Sequence, residues 1–184
     1  MNENKVLFVD LDGTLIKEDL SNLAFSHSIK NSPFKTLFYL FIFLFRGKSY
    51  LKDKISKNFT VPFKNLTFNK AAFDFIREQK NRQRVVYLIS GSHQILVDQL
   101  DRHLTIFFES FGTRDNFNMV GQNKVCFIKE NLKIHDFDYL GNSHKDLPIW
   151  KYTKKSIHTN ATQNLIKIIK SLDFEDQEIP ANFS

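Results

Sequence analysis

At 184 residues, 42% of them hydrophobic, the chain is long enough to bury a sizeable core and suits one domain with a modest insertion. Its single cysteine, Cys126, excludes an internal disulfide and fits a reducing compartment, and its longest unbroken apolar run, residues 37 to 45, is too short to span a bilayer. The formal net charge of +6 is confined to one stretch. Between Phe34 and Lys64 lie seven basic residues and one acid, Asp53, together with seven of the twenty phenylalanines, while the rest of the chain is neutral. That asymmetry points to a contact surface for something anionic.

Met1 to Lys5 lead directly into an apolar run, so no secretory signal of the usual form is expected, and the chain reads as cytoplasmic, at most peripheral to a membrane. Val6 to Val9 form a short buried strand that ends in two carboxylates one residue apart, Asp10 and Asp12, followed by Gly13 and Thr14. Side chains alternate along a strand, so both aspartates can face one pocket with Leu11 turned away. In an open parallel sheet, ligands bind beyond such carboxyl ends. The plainer alternative is a pair of aspartates that cap a strand in a solvated turn.

Residues 20 to 66 read as a small helical insertion. Ser32-Pro33 gives an N-cap and a proline at the first helical position, and Arg46-Gly47 gives a basic last turn and a glycine stop. The helix between them is apolar nearly all round, as a buried or membrane-facing helix would be. A second helix follows Ser49, with Leu51, Ile55 and Phe59 on one face, and ends at Val61-Pro62. The plainer expectation buries the apolar helix against its neighbours; the other seats it on lipid, flanked by lysines.

The spacing then predicts a helix from about 67 to 79, a strand over Val85 to Ile89 running into Ser90-Gly91-Ser92, a helix with Ile95, Leu96 and Leu100, and a strand near 106 to 109. A turn and helix follow from Gly121 to Leu132. Phe137 to Leu140 is a strand ending in Gly141-Asn142-Ser143-His144-Lys145-Asp146, and a strand near 156 to 158 and a helix from about 161 to 172 complete an alternating βα pattern. Residues 173 to 184 read as a polar tail. The expected fold is α/β, a Rossmann-like three-layer parallel sheet with a core over 1–19 and 67–172 and an inserted helical cap over 20–66. His27, His93, His103, His135 and His158 show no ligand spacing, and His144 and Lys145 read as a solvated helix start.

The Asp-x-Asp-Gly-Thr form of residues 10 to 14 resembles the first motif of the haloacid-dehalogenase-like superfamily. The resemblance implies that Asp10 is a nucleophile that takes a phosphoryl group, and that Asp12 is a general acid for the leaving group and then a base for water. Ser90 resembles the second motif and would hold phosphoryl oxygens with backbone N–H groups at a Gly91-Ser92 helix start, beside Thr14. Lys124, after Gly121, matches the third-motif lysine, with Lys129 as the fallback; by itself each reads equally as a solvated lysine. The fourth motif departs from Gly-Asp-x-x-x-Asp by carrying Asn142 in place of the first acid, with Asp146 as the second. An anion attacking an anion needs a cation between them, so Mg2+ is expected on the Asp10 carboxylate, the Asp12 main-chain carbonyl, Asn142 and Asp146.

The runs Leu44–Lys48, Val86–Ser92 and Asp138–Trp150 resemble more closely a phosphatase-like domain found in bacteria beside ubiquinone-type polyprenyl transferases. The resulting expectation is a metal-dependent phosphomonoesterase. Its substrate would be phosphotyrosine, a lipid phosphate or a small phosphate ester, and residues 34 to 64 would meet an anionic membrane surface. The alternative is a non-catalytic phosphatase-like docking module that uses the basic aromatic cap. No nucleic-acid partner is expected, because the charge lies among aromatic and aliphatic residues without a recognition motif.

Overall fold

The computed structural model describes residues 6–114, 117–153, 155–172 and 175–184. The reading of Met1 to Lys5 lies outside the described residues. Six parallel strands form one sheet in the order β3-β2-β1-β4-β5-β6: β1 (Val6–Val9), β2 (Val86–His93), β3 (Ser110–Thr113), β4 (Phe137–Gly141), β5 (Lys155–Thr159) and β6 (Glu175–Ile179). The chain reverses its direction of travel across the sheet between β1 and β4, the kind of switch point at which ligands bind in open α/β folds. The expected Rossmann-like α/β architecture is the observed one.

Alternation along the strands divides the core into two layers. Leu7, Val9, Val86, Leu88 and Leu140 pack on one side of the sheet, and Phe8, Ile89, Phe137 and Tyr139 on the other. The first layer also takes Leu11, Leu15, Leu20, Ala24, Ile55 and Phe59, so the base of the insertion shares the core of the sheet.

The insertion is a helical hairpin of α1 (Leu20–Asn31) and α2 (Pro33–Ser56). Asp19 caps α1, and α2 is broken at Gly47, whose φ of 77° only glycine adopts freely. The two helical stretches expected on either side of Gly47 are thus present, although the second stops at Ser56, short of Val61-Pro62. The apolar helix is not buried against its neighbours as the plainer expectation held. Phe34, Leu37, Phe38, Phe41, Leu44 and Phe45 are all exposed, from 59% to 87%, because only the base of the hairpin reaches the core.

Helices α3 (Lys70–Asn81), α4 (Gln94–Leu104), α5 (Gln122–Cys126), α6 (Leu147–Trp150) and α7 (Gln163–Ser171) connect the strands, with one π-helical turn, Phe127–Asn131, after α5. Three differences from the sequence reading matter. First, α4 starts at Gln94 with His93 as its N-cap, so Gly91 and Ser92 belong to an extended β2 and not to a helix start. Second, residues 106 to 109 lead into β3, which begins at Ser110. Third, the segment read as a polar tail carries β6, paired in parallel along β5 from Lys155 to Thr159. An edge strand with both faces near water needs no apolar alternation, so Glu175–Ile179 gave no strand signal.

Candidate active site

Asp10 sits one residue beyond β1, and its backbone N–H donates to the Leu140 carbonyl at 2.9 Å, which sets it beside the Gly141-Asn142 turn after β4. The loop that follows folds back tightly: Thr14, Leu15 and Ile16 all donate to the Leu11 carbonyl. Gly13, with φ at 78°, lies so close to Asn142 that a Cβ there would overlap the Asn142 amide. These contacts open a cavity of about 470 Å³ lined by Asp10, Asp12, Lys124, Asn142 and Asp146 on the sheet side and by Lys48 and Lys52 from α2.

Lys124, on α5, donates to Asp10 Oδ1 at 2.6 Å and to the Tyr139 hydroxyl at 2.7 Å, and it is buried. The Tyr139 hydroxyl in turn donates to Asp146 Oδ1 at 2.8 Å. Asp146 Oδ2 accepts from the backbone N–H groups of Asn142 and Ser143 and from the Ser143 hydroxyl. A continuous chain, Asp10–Lys124–Tyr139–Asp146, therefore joins the ends of β1 and β4 through α5. Burial pushes the Asp10 carboxyl up from 3.8 to about 7, opposed by Lys124 and assisted by Asp146. Burial and the nearby charge of Asp146 hold the Tyr139 phenol well above its ordinary value, so it stays a neutral donor.

Asp12 is held differently. Its Oδ1 accepts from the Leu20 backbone N–H at 2.9 Å, and its Oδ2 accepts from the Ser90 hydroxyl at 3.1 Å and the Ser92 hydroxyl at 2.8 Å. Burial raises its pKa, with Asp19 adding to the shift and these donors working against it. Ser90 and Ser92 are themselves buried and do not line the cavity; they orient Asp12. Thr14 is also buried, with its hydroxyl 3.4 Å from Asp10 Oδ2, and Gly91 lines the cavity wall. Lys129, the fallback for Lys124, has its ammonium over the Tyr152 ring at 3.6 Å from the centroid and does not line the cavity.

Of the residues singled out in the sequence, Asp10, Asp12, Gly91, Lys124, Asn142 and Asp146 thus line one cavity, while Ser90, Ser92 and Thr14 stand behind the two aspartates. Sequence reasoning missed Tyr139, which its place in an apolar strand disguised, and it counted Lys52 only among the lysines that flank the apolar helix. Lys52 Nζ donates to the Gly91 carbonyl at 2.6 Å and to Asn118 Oδ1 at 2.8 Å. The pairing of β2 with β3 slips between Ile89 and His93, and within that slip the Gly91 carbonyl accepts from side chains, Lys52 and Thr113.

Among the described residues no three His, Cys, Asp or Glu side chains are grouped to hold a metal. The oxygen donors around the cavity nevertheless suit a hard divalent cation in type: the Asp10 carboxylate, the Asp12 main-chain carbonyl, the Asn142 amide oxygen and Asp146 Oδ1, which accepts a single short hydrogen bond. Asn142 leaves such a site one negative charge fewer than an aspartate at that position would supply.

No family model matches the chain. The uncharacterized protein y4nM of Sinorhizobium fredii (strain NBRC 101917 / NGR234) is 30% identical over 145 residues, which is 79% of this chain and 28% of the relative. The chain therefore spans little more than a quarter of the length of the curated relative it matches. Among solved structures, a protein of unknown function from Bordetella pertussis Tohama I superposes with a TM-score of 0.66 at 12% identity, covering 96% of this chain and 99% of that one. A substrate-bound phosphoserine phosphatase complex gives a TM-score of 0.63 at 16% identity, over 98% and 96% of the two chains. A phospho-aspartyl intermediate analogue of phosphoserine phosphatase gives 0.60 at 17% identity, over 95% and 93%. The chain shares the haloacid-dehalogenase-like fold of these structures.

Proposed function

We propose that the chain is a metal-dependent phosphomonoesterase that works through an aspartyl-phosphate. The observation that carries this reading is the Asp10–Lys124 contact of 2.6 Å at the carboxyl end of β1, with Asp12 beside it on the same cavity. Lys124 fixes one carboxylate oxygen, which leaves Asp10 Oδ2 to attack phosphorus. The leaving oxygen takes a proton from Asp12, whose raised pKa keeps a proton available nearer neutrality. Water then attacks the phosphorus of the aspartyl-phosphate and gives its proton to Asp12. Inorganic phosphate leaves and Asp10 is restored. Mg2+ held by Asp10, the Asp12 carbonyl, Asn142 and Asp146 would neutralise charge on the transferred group.

The fold it shares with phosphoserine phosphatases supports a phosphate ester as substrate, and the Asn142 variant together with the runs around residues 44–48 and 138–150 supports a place in the subgroup found beside polyprenyl transferases. Hydrolysis of a generic aryl phosphate by the full chain, with and without Mg2+, tests the proposal. Turnover that needs Mg2+ and vanishes with chelator supports it; a folded protein that hydrolyses no phosphate ester leaves the docking-module alternative in its place.

One observation supports a place for this activity against a membrane. Among the described residues no helix is long and apolar enough to cross one. The exposed face of α2 from Phe34 to Phe45 can instead lie on a bilayer, and its charge suits an anionic one. Between Asp19 and Gly47 the sequence has no acid and three basic residues, Lys30, Lys35 and Arg46. A cytoplasmic leaflet rich in anionic lipid is the surface it fits.

A further inference from the structure

Lysines from separate elements line the cavity together with Lys124. Lys52 comes from α2, Lys48 from just past the Gly47 break, and Lys145 from the turn after β4, and all three line the cavity. They are close enough for Lys48 and Lys145 to repel the Lys52 ammonium, which Asp19 and Asp12 attract. Across the whole lining there are five lysines and four aspartates. Lys124 is committed to Asp10, so Lys48, Lys52 and Lys145 are not needed to neutralise the nucleophile.

Lys52 is also fixed in place. Its ammonium has three N–H donors, and two are taken by the Gly91 carbonyl and Asn118 Oδ1. Asn118 is itself held in place: its carbonyl accepts from Asn123 Nδ2, and the next residue, Met119, donates its backbone N–H to the buried Thr113 Oγ1. A lysine that merely covered surface would not be held by two acceptors of the cavity wall at 2.6 and 2.8 Å. The third donor has no protein partner among the described residues.

Resting on the phosphomonoesterase reading of the same cavity, we propose that Lys52, with Lys48 and Lys145, forms a subsite for a second anionic group on the substrate. The substrate is then a phosphate monoester that carries a carboxylate or a second phosphate in addition to the phosphoryl group that Asp10 attacks. Charge-assisted hydrogen bonds from an already immobilised ammonium are the strong kind, and they discriminate against an ester that lacks the second charge.

The test is binding, so that it does not depend on turnover. Glycerol 3-phosphate and 3-phosphoglycerate share a three-carbon phosphate ester and differ in that one end is a hydroxymethyl or a carboxylate. Each is titrated calorimetrically, with Mg2+, into the Asp10→Asn chain and into the same chain carrying Lys52→Met or Lys52→Arg. The expected result is at least about tenfold tighter binding of the carboxylate ligand, since one hydrogen bond to a charged group is worth roughly 1.5–3 kcal/mol. Lys52→Met should reduce that preference to within about twofold, and Lys52→Arg should keep most of it.

If Lys52 only clamps α2 to the core, Lys52→Met weakens both ligands equally and the preference survives, which overturns the proposal. Equal affinities in the parent, or no binding of either ligand, overturn it as well. Should Asp10→Asn not fold, the same contrast is read in the wild-type and Lys52 chains as KM for an aryl phosphate with and without a ring carboxylate. A chain that hydrolyses aryl phosphate without any preference keeps the phosphatase and loses the subsite. A chain that shows the binding preference but hydrolyses no ester keeps the subsite and loses the phosphatase.

Discussion

Lys124 and Asp10 are 114 positions apart in the chain and meet at 2.6 Å inside the protein, the lysine only 3% exposed. The contact is made because α5, anchored by Val125 in the core layer of Phe8 and Tyr139, carries Lys124 to the residue just past the end of β1. The Tyr139 hydroxyl then passes the connection on to Asp146.

Lys124→Met should lower turnover by about 10²–10³-fold, the usual cost of removing one donor aimed at developing charge. Tyr139→Phe keeps the ring and removes only the bridge, so its effect should be smaller and should lie mainly in the affinity for Mg2+, through Asp146. Steady-state rates over a Mg2+ titration distinguish the two. Equal losses at saturating Mg2+ would contradict this ordering.

Gly13→Ala places a methyl group in the Asn142 amide and forces a non-glycine residue to a φ of 78°. A destabilisation of about 1–3 kcal/mol is expected from the backbone alone. Activity should fall further than stability explains, because Asn142 is displaced from the cavity. Thermal melting and turnover on the same preparation measure both. An alanine variant with unchanged melting and rate would show that the loop relaxes freely.

Much of this arrangement is legible in the sequence, and the reasons it is not all legible are physical. Asp10 and Asp12 stand out because a β-branched run stops at a carboxylate doublet and a glycine, a pattern that local structure fixes. Lys124 is found only through motif order, since nothing near it in sequence says that it is buried. Ser90 is expected at a strand end, but Ser92 is expected at a helix start; the extension of β2 to His93 keeps both in the strand and turns their hydroxyls toward Asp12. Lys52 reads as one of several lysines flanking the apolar helix, and only the hairpin's return over the sheet brings it to Gly91. The strand β6 is hidden by its own polarity, and Tyr139 by the apolar residues on either side of it.

The charge on Lys52 makes binding of an anionic ligand dependent on pH. Burial lowers its pKa from 10.5 to about 8, with Lys145 and Lys48 lowering it further and Asp19 and Asp12 opposing them. Below about pH 8 the ammonium is charged; as pH rises through 8 the neutral amine gains, so affinity for a carboxylate-bearing phosphate ester falls on the alkaline side. Arginine keeps its charge there, so Lys52→Arg should flatten the profile. Calorimetric titrations at pH 7 and pH 9 suffice, and an identical decline in the arginine variant would assign the effect to another group.

The exposed face of α2 should be dispensable for the chemistry and needed for lipid. Replacing Phe38 and Phe41 with serine removes two exposed rings without touching the core, so folding and hydrolysis of a soluble aryl phosphate should be unchanged. Flotation with vesicles containing anionic lipid should be strong at low salt, weak at high salt, and lost in the double variant. Wild-type protein that fails to float at low salt rules out the membrane seat.

Covalent catalysis by Asp10 is tested most directly by trapping the intermediate. The full chain is mixed with Mg2+ and an aryl phosphate, quenched in acid within the first turnovers, digested, and its peptides are mapped by mass. A phosphoryl group on the peptide that carries Asp10, absent from the Asp10→Asn chain, is the predicted result. Steady hydrolysis with no phosphoryl group on that peptide, or a folded Asp10→Asn chain that turns over at the wild-type rate, would contradict it.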